Sequence, residues 1–207
     1  MISTQSLYFS YPHQELHFPN IFCKEKESLL ILGESGKGKT TFLHLLAGLL
    51  KAKSGEIWIN QTNITTLKNK ELDFFRGKNI GIVFQKNYFV ESLSVLENIL
   101  IAPFLIGQKA DKQKALSLLN SLGLFEKRHQ KTHQLSQGEQ QRLSLARAFI
   151  NEAKLILADE PTSALDDRNC EQVMVLLEEK AQEHKASLLI VTHDQRLKDR
   201  FKNTVLL

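Results

Sequence analysis

The run Gly33-Glu34-Ser35-Gly36-Lys37-Gly38-Lys39-Thr40 constrains this chain more than any other feature. It fits the pattern G-x-x-x-x-G-K-[ST], and its flanks suit it. Before it, Leu29-Leu30-Ile31-Leu32 is a short continuous apolar run, as a strand buried on both faces requires. After it, Thr41-Phe42-Leu43-His44-Leu45-Leu46-Ala47 reads as a helix. Between a buried strand and a helix, glycines let backbone N–H groups curl around an anion, and the helix N-terminus favours negative charge. Residues Gly33 through Thr41 therefore form a candidate phosphate cradle. Lys39 would reach the outer phosphates of a nucleoside triphosphate, and Thr40 would give its hydroxyl to Mg²⁺. A glycine-rich turn without a ligand explains the letters alone but not their setting.

Three more apolar runs of the same kind follow, Ile80 to Phe84, Leu155 to Ala158 and Leu188 to Val191, separated by segments of helical period. That alternation predicts an α/β fold with a mainly parallel sheet. Two regions break it. Residues 1–28 and 55–66 read as an antiparallel β lobe, with Gly55-Glu56-Ile57-Trp58-Ile59-Asn60 alternating between apolar and polar. Residues 88 to about 150 carry no good strand and read as a helical insertion, with capping-box pairs Ser94/Glu97 and Ser136/Glu139 and a helix stop at Gly123. The chain is 207 residues long, 42% hydrophobic and 24% charged, which suits one such domain spanning 1–207.

Other classes fall away. Cys23 and Cys170 lie far apart without neighbouring Cys/His clusters, so neither a disulfide scaffold nor a zinc site is expected. The longest apolar stretches, Phe42 to Leu50 and Ser94 to Gly107, are short or interrupted, below the roughly 18 residues of a membrane span. The N-terminus lacks the regions of a signal peptide, so a cytoplasmic location is expected. The net charge is +4 and the pI about 9.0, but the lysines are scattered and no nucleic-acid partner is expected.

Two further motifs carry chemistry. The strand ending at Ala158 continues into Asp159-Glu160-Pro161, and parallel strands deliver such residues to the crevice where ligands bind. Asp159 suits Mg²⁺, which takes one or two carboxylates plus phosphate oxygens and water. Glu160 would then be free to polarise an attacking water as general base. Leu135-Ser136-Gln137-Gly138-Glu139 opens a helix and reads either as an ordinary cap or as a second anion site, Ser136 and Gly138 facing a phosphate.

In this order, the motifs resemble the nucleotide-binding subunits of ABC transporters over essentially the whole chain. The phosphate loop, a signature at 135–139 and a Walker B strand at 155–160 carry the likeness. The resemblance implies roles for single residues. Gln85 matches the glutamine that senses Mg²⁺ and the γ-phosphate, His193 the switch histidine, and Tyr11 the aromatic that stacks on adenine. Ser163-Ala164-Leu165-Asp166 matches the D-loop, Asp166 being its nucleotide-side acid. It also implies two domains, a second copy or a paralogous subunit, sandwiching two ATP head to tail. A separate membrane permease would dock along Gln85 to Leu93, where Tyr88-Phe89-Val90 fall, with the ATPase peripheral on the cytoplasmic face. Core packing is the competing reading of those apolar residues.

The signature departs from Leu-Ser-Gly-Gly-Gln at Gln137 and Glu139, and Lys37 stands where a small residue is commoner. The chain ends at Thr204-Val205-Leu206-Leu207, about where the family's last core strand would begin a hairpin, and no C-terminal regulatory domain is expected. Within the family, the segments around Gln85, Glu160 and His193 look most like the lipoprotein-release, macrolide-export and cell-division group. A soluble ABC ATPase of translation or repair is the alternative. One phosphate loop and no heptad run argue against it, whereas signalling without solute movement stays open.

Overall fold

The computed structural model describes residues 1–163 and 165–207. An antiparallel sheet is built from β1 (Ile2–Tyr11), β2 (Gln14–His17), β3 (Phe22–Cys23), β5 (Ser54–Ile59) and β6 (Thr62–Asn63). The alternation seen in the sequence sets its faces, for Ile57 and Ile59 are buried while Glu56 and Trp58 are exposed. In β1 the buried residues change parity, from Ile2 and Thr4 to Leu7 and Phe9. A register shift between Gln5 and Tyr8 causes the change, with Ser6 at φ 47°. A bulge adds one residue and flips every later side chain to the other face. Gly55 makes room for it, since a Cβ there would lie 2.4 Å from the Ser6 carbonyl oxygen. The bulge decides which way Tyr11 faces.

The second sheet is parallel, in the order β10 (Thr204–Leu206), β4 (Ser28–Leu32), β9 (Ser187–Thr192), β8 (Leu155–Asp159) and β7 (Ile80–Val83). The four expected runs are thus its strands. Alternate residues of β4 serve two cores. Leu29 and Ile31 pack with α1 (Lys39–Leu46) and the antiparallel sheet, while Leu30 and Leu32 pack with the helices of the opposite face. The last residues, Thr204 to Leu206, form a parallel edge strand on β4 rather than opening a hairpin.

Between the sheets' strands lie α2 (Asn69–Asn79), α3 (Val95–Leu105), α4 (Lys112–Ser121), α5 (Gln137–Phe149) and α6 (Asp167–Glu183). Both expected capping boxes are formed, Ser94 with Glu97 and Ser136 with Glu139. Gly123, at φ 67°, follows the end of α4. The sequence gives no signal for α2, which has no fully buried residue and turns only Leu72 and Phe75 toward the core. Among the described residues, no helix is long and apolar enough to cross a membrane.

Candidate active site

The loop between β4 and α1 closes a short distance in the chain and needs glycine at its end. Gly38 caps α1 at φ 90°, a region that L side chains rarely adopt. A Cβ there would also meet Leu16 at 3.2 Å, so the glycine lets β2 press directly on the loop. Lys39 is only 7% exposed. Its Nζ donates to the carbonyl oxygens of Gly33 at 2.9 Å and Glu34 at 3.0 Å. It also stands 3.5 Å from Glu160 Oε1.

Glu160 reaches that point because β8 and β9 run side by side, with Asp159 paired to Val191. The next residues, Glu160, Thr192 and His193, therefore meet at the sheet edge. Thr192 Oγ1 donates to Glu160 Oε2 at 2.7 Å, and the His193 backbone N–H donates to Oε1 at 3.1 Å. His193 Nδ1 lies 2.7 Å from the same Oε1. Glu160 takes φ 47°, a strained backbone that costs about 1–3 kcal/mol and clusters at functional sites. The carboxylate is thus held on several sides, because strand pairing places two donors against it.

Asp159 sits behind the loop at 2% exposure, and its Oδ1 has no hydrogen-bond partner among the described residues. Burial pushes its carboxyl above the ordinary range. A Thr40 hydroxyl bond opposes the shift, Glu160 adds to it, and His44 and Lys39 work against it. An orphaned buried acid beside a threonine hydroxyl suits a hard cation that also binds phosphate oxygens. Without metal, the ionised form weakens the fold. The penalty is absent below the ordinary Asp pKa, grows as pH rises through the raised folded value, and is complete only above it. Asp159→Asn should therefore raise the melting midpoint of the nucleotide-free protein in EDTA at pH 8. It should also abolish ATP hydrolysis. An unchanged or lowered midpoint by scanning fluorimetry sinks this account of Asp159.

An open pocket of about 330 Å³ is lined by Ser35, Gly36, Gly38, Lys39, Thr40 and Thr41, with Gln85, Glu160 and His193 across from them, and Asp159 lies outside that lining. Lys37 is an exposed residue of the same loop. Tyr11 does not line the pocket itself; its hydroxyl lies 3.1 Å from Oγ1 of Thr41, which does, and its ring meets Phe9 edge-on. Ser136, Gly138 and Asp166 do not line the pocket. They form a second group, in which Ser136 caps α5 and Asp166 caps α6. Asn169 links the two, bonded to Asp166 and 3.4 Å from the point a Gly138 Cβ would occupy. Ala164 of the expected D-loop lies outside the described residues.

Residues 16–163 match the family model described as ABC transporter. This chain belongs to the ABC transporter family. Over 180 residues it is 43% identical to the lipoprotein-releasing system ATP-binding protein LolD of Treponema denticola, covering 86% of this chain and 80% of that one. It is 38% identical over 177 residues to the bacitracin export ATP-binding protein BceA of Halalkalibacterium halodurans, 84% of this chain and 70% of that one. Among solved structures, the ATP-binding cassette MJ0796, a dimer in a post-hydrolysis state bound to ADP and Pi, matches with a TM-score of 0.89. That match has 31% identity and covers 100% of this chain and 94% of the other. The chain is an ATP-hydrolysing subunit of an ABC transporter.

Sequence reasoning missed Gln14, Leu16 and Thr192. The alternation of Phe9, Tyr11, Gln14 and Leu16 around the Pro12-His13 turn signals the first two. Thr192 carries no local signal. Beyond Gln85, Tyr88 is 61% and Val90 41% exposed, whereas Phe89 packs on the core. Phe74, Phe104 and Leu105 are also exposed.

Proposed function

We propose that this ABC ATPase closes as a dimer around two ATP and drives a separate membrane permease of export or lipoprotein-extraction type from the cytoplasmic face. The observation that carries the dimer is the division of the site. Lys39, Glu160 and His193 line one pocket, while Ser136, Gly138 and Asp166 lie in a separate group on the same chain. A second copy turned head to tail would bring its Ser136 group onto the first chain's phosphates. The relatives' names support the direction of transport, and the exposed Tyr88 and Val90 beside Gln85 support a docking surface.

Within the pocket, the roles follow from what each group offers. Loop N–H groups from Gly33 to Thr41 donate to the phosphate oxygens, with Ser35 and Lys37 at the loop's outer edge. Lys39 exchanges its two carbonyl acceptors for phosphate oxygens, a charge-assisted contact that is stronger. Glu160, fixed by Thr192 and His193, orients water and takes its proton. With Nδ1 engaged by Glu160, His193 keeps Nε2 for the γ-phosphate. Asp159, Thr40 and Gln85 would hold Mg²⁺, which when bound neutralises charge on the outer phosphates.

Two measurements test this reading. Specific activity of the isolated chain should rise with protein concentration, as a dimeric active species requires, and a flat profile counts against the dimer. A tagged chain should be recovered from detergent-solubilised membranes with a multi-span partner, and recovery alone counts against the permease.

Tyr11 offers an aromatic face for adenine. Stacking of a base on an aromatic is worth about 1–3 kcal/mol by alanine substitution. Tyr11→Ala should raise the ATP Kd about five-fold or more, whereas Tyr11→Phe, which keeps the ring and loses only the Thr41 contact, should be tolerated. Equal binding by both variants removes stacking as the explanation.

A further inference from the structure

The rim of the pocket holds a side chain that none of these roles uses. Gln14 begins β2 and is paired directly with Tyr11 of β1. Residues opposite one another in an antiparallel pair put their side chains on the same face. The pair next along that face is Phe9 with Leu16, both buried. Leu16 is the residue that presses on Gly38 of the phosphate loop. The face that covers the loop therefore runs outward into Tyr11 and Gln14, the last residues before the turn at Pro12 and His13. Gln14 is exposed there and lines the same pocket as Gly36, Lys39 and Thr40.

We propose that Gln14 is the residue by which this ATPase recognises the 6-amino edge of adenine. The inference rests on the reading of the pocket as an ATP site with Tyr11 beneath the base. A ring lying on Tyr11 turns an edge toward the neighbour on the same face, and that neighbour is Gln14. A primary amide carries one acceptor and one donor side by side. Adenine offers the complement on its N7 edge, an N6–H donor beside the N7 acceptor, so the two meet in a pair of hydrogen bonds. A 6-oxo purine presents two acceptors on that edge, O6 and N7, so whichever way the amide turns, its carbonyl oxygen faces one of them. A site that hydrogen-bonds one substrate group rejects the analogue that cannot answer it. Tyr11, by contrast, stacks on either ring.

The test compares steady-state hydrolysis of ATP and inosine triphosphate by the wild-type chain and by Gln14→Ala. The wild type should favour ATP in kcat/KM by about five-fold or more, the low end for one bidentate base contact. Gln14→Ala should lose a like factor with ATP and little with inosine triphosphate, bringing the ratio near one. Tyr11→Ala should lower both nucleotides together and keep the ratio. The same ratio in Gln14→Ala as in the wild type overturns the assignment while leaving the ATPase reading intact. A wild-type chain that hydrolyses neither nucleotide, alone or with its permease, instead fails the ATPase reading itself.

Discussion

Glu160→Gln should run on a sizing column as a dimer with Mg·ATP and as a monomer without nucleotide. The substitution keeps the size of the side chain and leaves an oxygen to accept from the His193 N–H, so the pocket stays formed. What it removes is the base. Loss of a general base costs about 10²–10⁴ in rate, so ATP stays bound and the closed pair persists. The strained backbone at residue 160, φ 47°, is unaltered by the change. Adding Ser136→Arg places a bulky cation at the α5 N-terminus, where the partner's phosphates would have to approach. It should destroy the ATP-dependent dimer while monomers still bind nucleotide. Glu160→Gln that stays monomeric with saturating Mg·ATP and its permease present would falsify the shared site.

Lys39→Ala should bring hydrolysis down by at least about 10²-fold and weaken ATP binding, with the secondary structure unchanged by circular dichroism. Removing one preorganised donor that faces developing charge costs about 10²–10³ in rate. The structure adds a reason for the size of the effect. Lys39 is 7% exposed and its Nζ stands 3.5 Å from the Glu160 carboxylate, so it sits beside the proposed base inside the pocket. Glu160 would still be held by Thr192 and His193, which is why the fold should survive. Turnover near the wild-type rate in this variant removes the phosphate-loop assignment.

Much of the site was legible because much of it is local. The cradle from Gly33 to Thr41 is one stretch of chain whose strand, turn and helix signals all lie within a few residues of one another. The caps at Ser94 and Ser136 are equally local, each closing on a residue three positions on. Asp159 and Glu160 follow a buried strand directly, and any parallel sheet sends such residues to its ligand edge.

Other parts depended on contacts between distant segments. Ser163, Asp166 and Ser136 could be named from the sequence, but that the α5 and α6 caps stand together apart from the pocket is a matter of helix packing. Nothing near Glu160 in the chain can bond its carboxylate, so the sequence names the acid but not what holds it. Its donors are Thr192 and His193, brought alongside by the pairing of β8 with β9. Helix α2 escaped notice because its interior face is too small to leave a clear period.

The sequence by itself determined the kind of chemistry: a phosphate cradle on a helix N-terminus, an acid pair at a buried strand end and the order of motifs that marks an ABC ATPase. Short-range spacing carries that information. Only the tertiary structure decided which side chains stand together at the outer end of the pocket. The bulge at Ser6 reverses the face of β1, and the β1–β2 register then sets Gln14 beside Tyr11. Strand register is settled by which buried faces must pack together. A one-residue shift that leaves composition and motif spacing untouched moves every following side chain from one face to the other.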